Sequence, residues 1–160
     1  MVGMVAVAPR LIARFGPKTM TVAGLATLAV GLVWLSFVDP DGSFAIDILP
    51  ASLVAAAGMA MAFIPSLGLA LSSAAPEEAG LAAGIVNTNY QVGSALGLAA
   101  MTALAAAFGA DRISDAVEMT DGFSAGLLGA AGIAAFGAVL AARWLRTPPT
   151  ATSGDETLAA

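Results

Sequence analysis

An all-α, polytopic membrane helix bundle with four transmembrane segments is the fold class this sequence predicts. Three observations carry that prediction. Of 160 residues, 59% are hydrophobic and only 11% are charged, whereas a soluble domain carries about one quarter charged residues. Mean hydropathy is +0.90. The charges also cluster, leaving four uncharged windows at 19–38, 48–76, 79–110 and 122–142. Each window meets the roughly 20 apolar residues needed to cross about 30 Å of hydrocarbon. Four such windows in succession are too many to be core helices or buried strands of so small a domain.

Residues 1–8 are apolar but far too short to span. They read as the end of a helix that begins further upstream, so the chain reads as a fragment of a longer protein. A secretory signal peptide fits poorly, because no basic segment precedes the apolar one and Arg10 follows where a cleavage site belongs. The first span is expected at about 19–38, after Arg10, Arg14 and Lys18. The second is expected at about 48–73, with Asp47 at its positive dipole end. The third is expected at about 79–108. Pro76 loses no backbone bond at a helix start, and Glu77 and Glu78 face the same dipole end. This window is longer than a bilayer requires, which implies a tilted or protruding helix. The fourth span is expected at about 122–142, before Arg143 and Arg146. The tail 147–160 is small, polar and proline-containing, and reads as disordered.

Lysine and arginine beside helix ends mark the cytoplasmic side. Arg10, Arg14, Lys18, Arg143 and Arg146 all fall on one side of a four-span chain, while the opposite loops contribute only Arg112. The tail is therefore expected to be cytoplasmic, in a multi-pass protein of the cell membrane whose first partner is the lipid bilayer. With no cysteine and no histidine, disulfides, Cys/His metal sites and Ser-His-Asp chemistry are excluded. No enzyme activity, cofactor, metal or nucleic-acid partner is expected. No acid lies inside any window. A proton-coupled carrier needs a titratable group at membrane depth, so such a group would have to come from elsewhere.

Small residues let helix backbones approach in lipid, where the hydrophobic effect does not drive association. Gly80 with Gly84, and Gly93 with Gly97, form two small-xxx-small pairs expected to serve helix packing, as do the glycines of the fourth span. Pro65, inside the second span, removes the donor for the Met61 carbonyl and predicts a kink. The segment "GIVNTNYQVGSALG" (84–97) is the least expected one, since it places Asn87, Thr88, Asn89 and Gln91 in an uncharged helix. At 100° per residue, Gly84, Asn87, Gln91 and Ser94 share a face about 80° wide, and Asn89 points nearly the other way. Amides facing lipid unpaired cost several kcal/mol. Two readings stay open: interhelical hydrogen bonds, or a solute pathway lined by Asn87, Gln91, Thr88 and Ser94.

Two motifs carry a family resemblance. "PRLIARFGPK" (9–18) resembles the cytoplasmic loop motif Gly-x-Leu-x-Asp-Arg-x-Gly-Arg-Lys of the major facilitator superfamily. Leu11, Arg14, Gly16 and Lys18 match it, while Pro9, Ala13 and Pro17 depart. "GLAAGIVNTNYQVGSALGLA" (80–99) is similar to the pattern Gly-x-x-x-Gly-x-x-Asn-x-x-Arg-Gln-x-Gly-x-x-x-Gly of the fourteen-helix drug–proton antiporter branch. Gly80, Gly84, Asn87, Gln91, Gly93 and Gly97 match, and Tyr90 replaces the arginine. The resemblance covers 1–146 as the C-terminal part of a transporter domain, namely its last four helices and the loop before them. It implies a loop-gating role for Arg14, Gly16 and Lys18. It also implies a proton-coupled secondary transporter that exports small, often amphipathic or cationic compounds by alternating access. The small-molecule substrate and protons would then be handled together with helices upstream. The alternative from another class is a small four-helix membrane scaffold or accessory subunit.

Overall fold

The computed structural model describes residues 12, 14–38, 44–110 and 116–145, with the side chains of 116–118 outside the description. The tail at 147–160, the short apolar start and the middle of the loop containing Arg112 lie outside the described residues. Four helices account for the four windows: α1 (Pro17–Leu35), α2 (Leu49–Ser72), α3 (Ala79–Ala107) and α4 (Ala116–Trp144). All four are long and apolar enough to cross a membrane.

The helix ends depart from the uncharged windows where local chemistry outranks hydropathy. Helix α1 begins two residues before its window, because Pro17 takes the first position, where no N–H is needed. It ends at Leu35, with the Ser36 hydroxyl donating to the Val33 carbonyl at 2.7 Å. Asp47 lies in a π-helical turn, Phe44–Ile48, that runs directly into α2, in the first turn at the positive end of the span. A 3-10 turn, Pro76–Glu78, leads into α3 with both glutamates at the positive end of the helix. At 29 residues, α3 is about 44 Å long, well beyond the hydrocarbon thickness. Helix α4 also has 29 residues and extends past its apolar window at both ends.

Small residues set the packing. The buried hydrophobic residues are Met20, Ala51, Ala62, Ala131, Ala134 and Ala138, and none of the described large side chains is fully buried. Helices α1 and α2 touch backbone to backbone. A methyl group on Gly24 would stand 2.7 Å from the Met61 carbonyl carbon and 2.8 Å from the Gly58 oxygen, and one on Gly31 would stand 2.6 Å from the Ala55 nitrogen. Gly58 lies as closely against Leu28. Partner numbers fall on α2 as they rise on α1, so the pair is antiparallel. Thr21 and Ser66 extend this contact with their hydroxyl oxygens 3.3 Å apart. Thr21 also donates to the Pro17 carbonyl and Ser66 to the Ala62 carbonyl.

Helix α1 is central, with α2 and α4 packed against it. The second half of α4 meets α1, where Gly137 faces Leu25. Its first half meets the end of α3, where Gly126 faces Ala105 and Gly129 faces Leu104. There α3 closes in a Schellman turn: Gly109 N–H bonds Ala106 and Ala110 N–H bonds Ala105, at 3.1 and 3.0 Å. Gly109 has φ 99°, a conformation that favours glycine. Gly122 sits directly against this turn, close to Ala110.

Candidate functional site

Helix α3 sets the candidate site apart from the rest of the bundle, because none of its residues is buried. It forms readily from alanine and leucine, which are strong helix formers, and it carries the amide stretch in its first half. Asn87 and Gln91 lie about 12 and 18 Å from the helix start at 1.5 Å per residue. Both positions fall within the apolar span Pro76–Ala107.

Asn87, Thr88, Asn89, Gln91 and Ser94 are all exposed. The amide side chains of Asn87 and Gln91 hydrogen-bond no described residue. The Thr88 hydroxyl donates to the Gly84 carbonyl at 2.9 Å, so its proton is spent within the helix and only its lone pairs face outward. The interhelical bonds considered for these amides are thus not made among the described residues. Asn87, Thr88, Gln91 and Ser94, the residues expected to line a pathway, remain accessible.

The four glycines that frame the amides also face open space. A methyl group on Gly80, Gly84, Gly93 or Gly97 would meet nothing within 4 Å. An open groove of about 420 Å³ follows Gly80, Gly84 and Thr88, edged by Leu81, Ile85 and Asn89. A second cavity, about 430 Å³, lies between the end of α3 and the start of α4, among Leu98, Met101, Thr102, Phe123 and Leu127. The amides do not line it, and its one hydroxyl, on Thr102, already donates to the Leu98 carbonyl.

Pro65 is buried within a helix that continues through it, and Ser66 bonds back to Ala62 just beyond. Two residues earlier, Phe63 reaches Tyr90 of α3, a contact that no spacing rule in the sequence pointed to. At the start of α1, Gly16 has φ 79° and ψ 154°, a backbone region essentially reserved for glycine. The Arg14 guanidinium stands 5.7 Å from the Phe15 ring centre, and Lys18 is half-buried in the first turn. Among the described residues, no group of three or more His, Cys, Asp or Glu comes together.

The profile of the Major Facilitator Superfamily matches residues 1–160. The chain belongs to the major facilitator superfamily. It is a multi-pass membrane protein, with the four spans of this superfamily member in the order described above. It is 32% identical to the puromycin resistance protein pur8 of Streptomyces alboniger, over 98% of this chain and 33% of that protein. It is 32% identical to the cephamycin export protein CmcT of Amycolatopsis lactamdurans over 59% of this chain and 20% of that protein. It is 30% identical to the multidrug resistance protein Stp of Mycobacterium tuberculosis over 61% of this chain and 18% of that protein. The chain thus spans a third or less of the length of these relatives. No solved structure matches it significantly.

Proposed function

We propose that this chain supplies the last four helices of a proton-coupled secondary transporter of the fourteen-helix drug–proton antiporter branch. The transporter exports small amphipathic or cationic compounds. The observation that carries this reading is the flank of Asn87 and Gln91: neutral hydrogen-bonding groups at membrane depth, accessible on a helix with no buried residue. Polar groups at that depth mark solute pathways. Superfamily membership and relatives named for puromycin resistance and cephamycin export support the same reading.

In this reading α1 and α2 form a stiff unit, because their glycines bring the two backbones into direct contact. Helix α3 is held mainly by its last turns against α4, so its amide-bearing half faces the alternating pathway. Rocking of two helical bundles exposes that face to each side in turn. The uncharged windows hold no acid and Asp121 stands near the start of α4, so in this reading the proton-coupling carboxylate belongs to other helices. The end bearing Arg14, Lys18 and Arg143 is cytoplasmic, which also places the C-terminus in the cytoplasm.

The test is efflux from vesicles. The 160-residue chain alone is expected to give no proton-gradient-driven export of a cationic dye, whereas the full-length polypeptide carrying it does. Export by the isolated chain, or none by the full-length protein, refutes the reading.

A further inference from the structure

Tyr90 stands among the amides, and its ring meets Phe63 of α2 with centroids 5.7 Å apart and planes at 67°. This is the edge-to-face geometry that aromatic quadrupoles favour. Neither ring is consumed by the contact: Phe63 is 45% exposed and Tyr90 50%. At about 100° per residue, Tyr90 lies about 60° from Asn87, about 40° from Ser94 and about 100° from Gln91 around α3. The ring pair therefore borders the Asn87 and Ser94 edge of the flank. The windows that form α2 and α3 contain no charged residue. A molecule on this flank meets two partly open aromatic rings, amide donors and acceptors, and no fixed charge. Such a surface recognises a flat ring system by stacking and its polar substituents by hydrogen bonds.

We propose that Phe63 and Tyr90 are specificity-determining residues of the solute pathway, stacking a planar aromatic group of the exported compound while Asn87 hydrogen-bonds its substituents. This rests on the transport reading above. It goes beyond that reading in naming the residues that select among exported compounds.

The experiment measures export of ethidium, a planar aromatic monocation, by the full-length protein carrying this chain. Tetrapropylammonium, a saturated ion of the same charge, is measured as a competitor. Tyr90→Leu and Phe63→Leu are expected to raise the ethidium KM about two- to tenfold with kcat unchanged, and Tyr90→Phe to restore it. The inhibition constant of tetrapropylammonium stays constant, or no inhibition occurs in any variant; both results fit the proposal. A parallel rise for both ions, or a loss of kcat at constant KM, assigns the rings a structural role and overturns it. If the leucine variants fail to accumulate, Tyr90→Trp decides. Its larger ring lowers the ethidium KM, and an unchanged or higher KM overturns the proposal. Absence of ethidium export by the unmodified protein overturns the transport reading as well. Export with an unaltered KM in the leucine variants overturns this proposal alone.

Discussion

Replacing Gly24 with alanine places a methyl group 2.7 Å from the Met61 carbonyl carbon and 2.8 Å from the Gly58 oxygen, with the Ala62 nitrogen closer still. All three are backbone atoms of α2, so none can swing aside as a side-chain tip would. Relief requires α1 and α2 to separate along the whole Gly24–Gly58–Gly31 contact. Overpacking of this kind costs about 1–3 kcal/mol. Alanine's better helix propensity returns at most about 1 kcal/mol. Gly84→Ala is the internal control, since its methyl group meets nothing within 4 Å of the described residues. The propensity gain then stands alone. Thermal unfolding of the purified 160-residue chain in detergent should place Gly24→Ala below the unmodified protein and Gly84→Ala at or above it. Equal melting temperatures for the two variants would refute the reasoning.

Gly109→Ala forces a left-handed conformation on alanine at the close of α3, at a cost of about 1–2 kcal/mol, measurable in the same unfolding assay. Gly16→Ala strains the loop before α1 similarly, and in the full-length protein it should reduce transport per folded molecule. Topology can be read from single cysteines placed in this cysteine-free chain. Positions near Gly42 and Val117 should react with an impermeant thiol reagent from outside intact cells. Positions near Phe15 and Thr152 should not, and labelling of Thr152 reverses the assigned orientation.

The four spans were legible because hydrocarbon is an unforgiving solvent: long uncharged windows have few alternatives to helix. Their ends were less legible. Pro17 started α1 inside a charged segment, and a π-helical turn absorbed Asp47. Packing was legible only as a capacity. The spacing of Gly80 with Gly84 and of Gly93 with Gly97 says that a backbone can approach, not which one does, and the four described helices leave these positions open. The contact made between α1 and α2 instead uses Gly24 and Gly31 against Gly58 and Ala62, and the Gly58–Ala62 spacing escapes a search for paired glycines. The amide stretch was found as unusual chemistry in an apolar helix. Its ring partner Phe63 was not, because only the antiparallel return of α3 beside α2 brings residue 63 to residue 90.

The measurement closest to the central claim compares efflux, normalised to protein level, for Asn87→Ala, Gln91→Ala and Asn89→Ala in the full-length protein. Asn87 and Gln91 share the proposed pathway flank and Asn89 lies on another face, so all three remove an amide and only two remove a pathway group. The expected result is a selective change in affinity or substrate range for Asn87→Ala and Gln91→Ala, with Asn89→Ala close to unmodified. Equal losses at all three positions that track protein stability would contradict the account and assign the amides to helix packing.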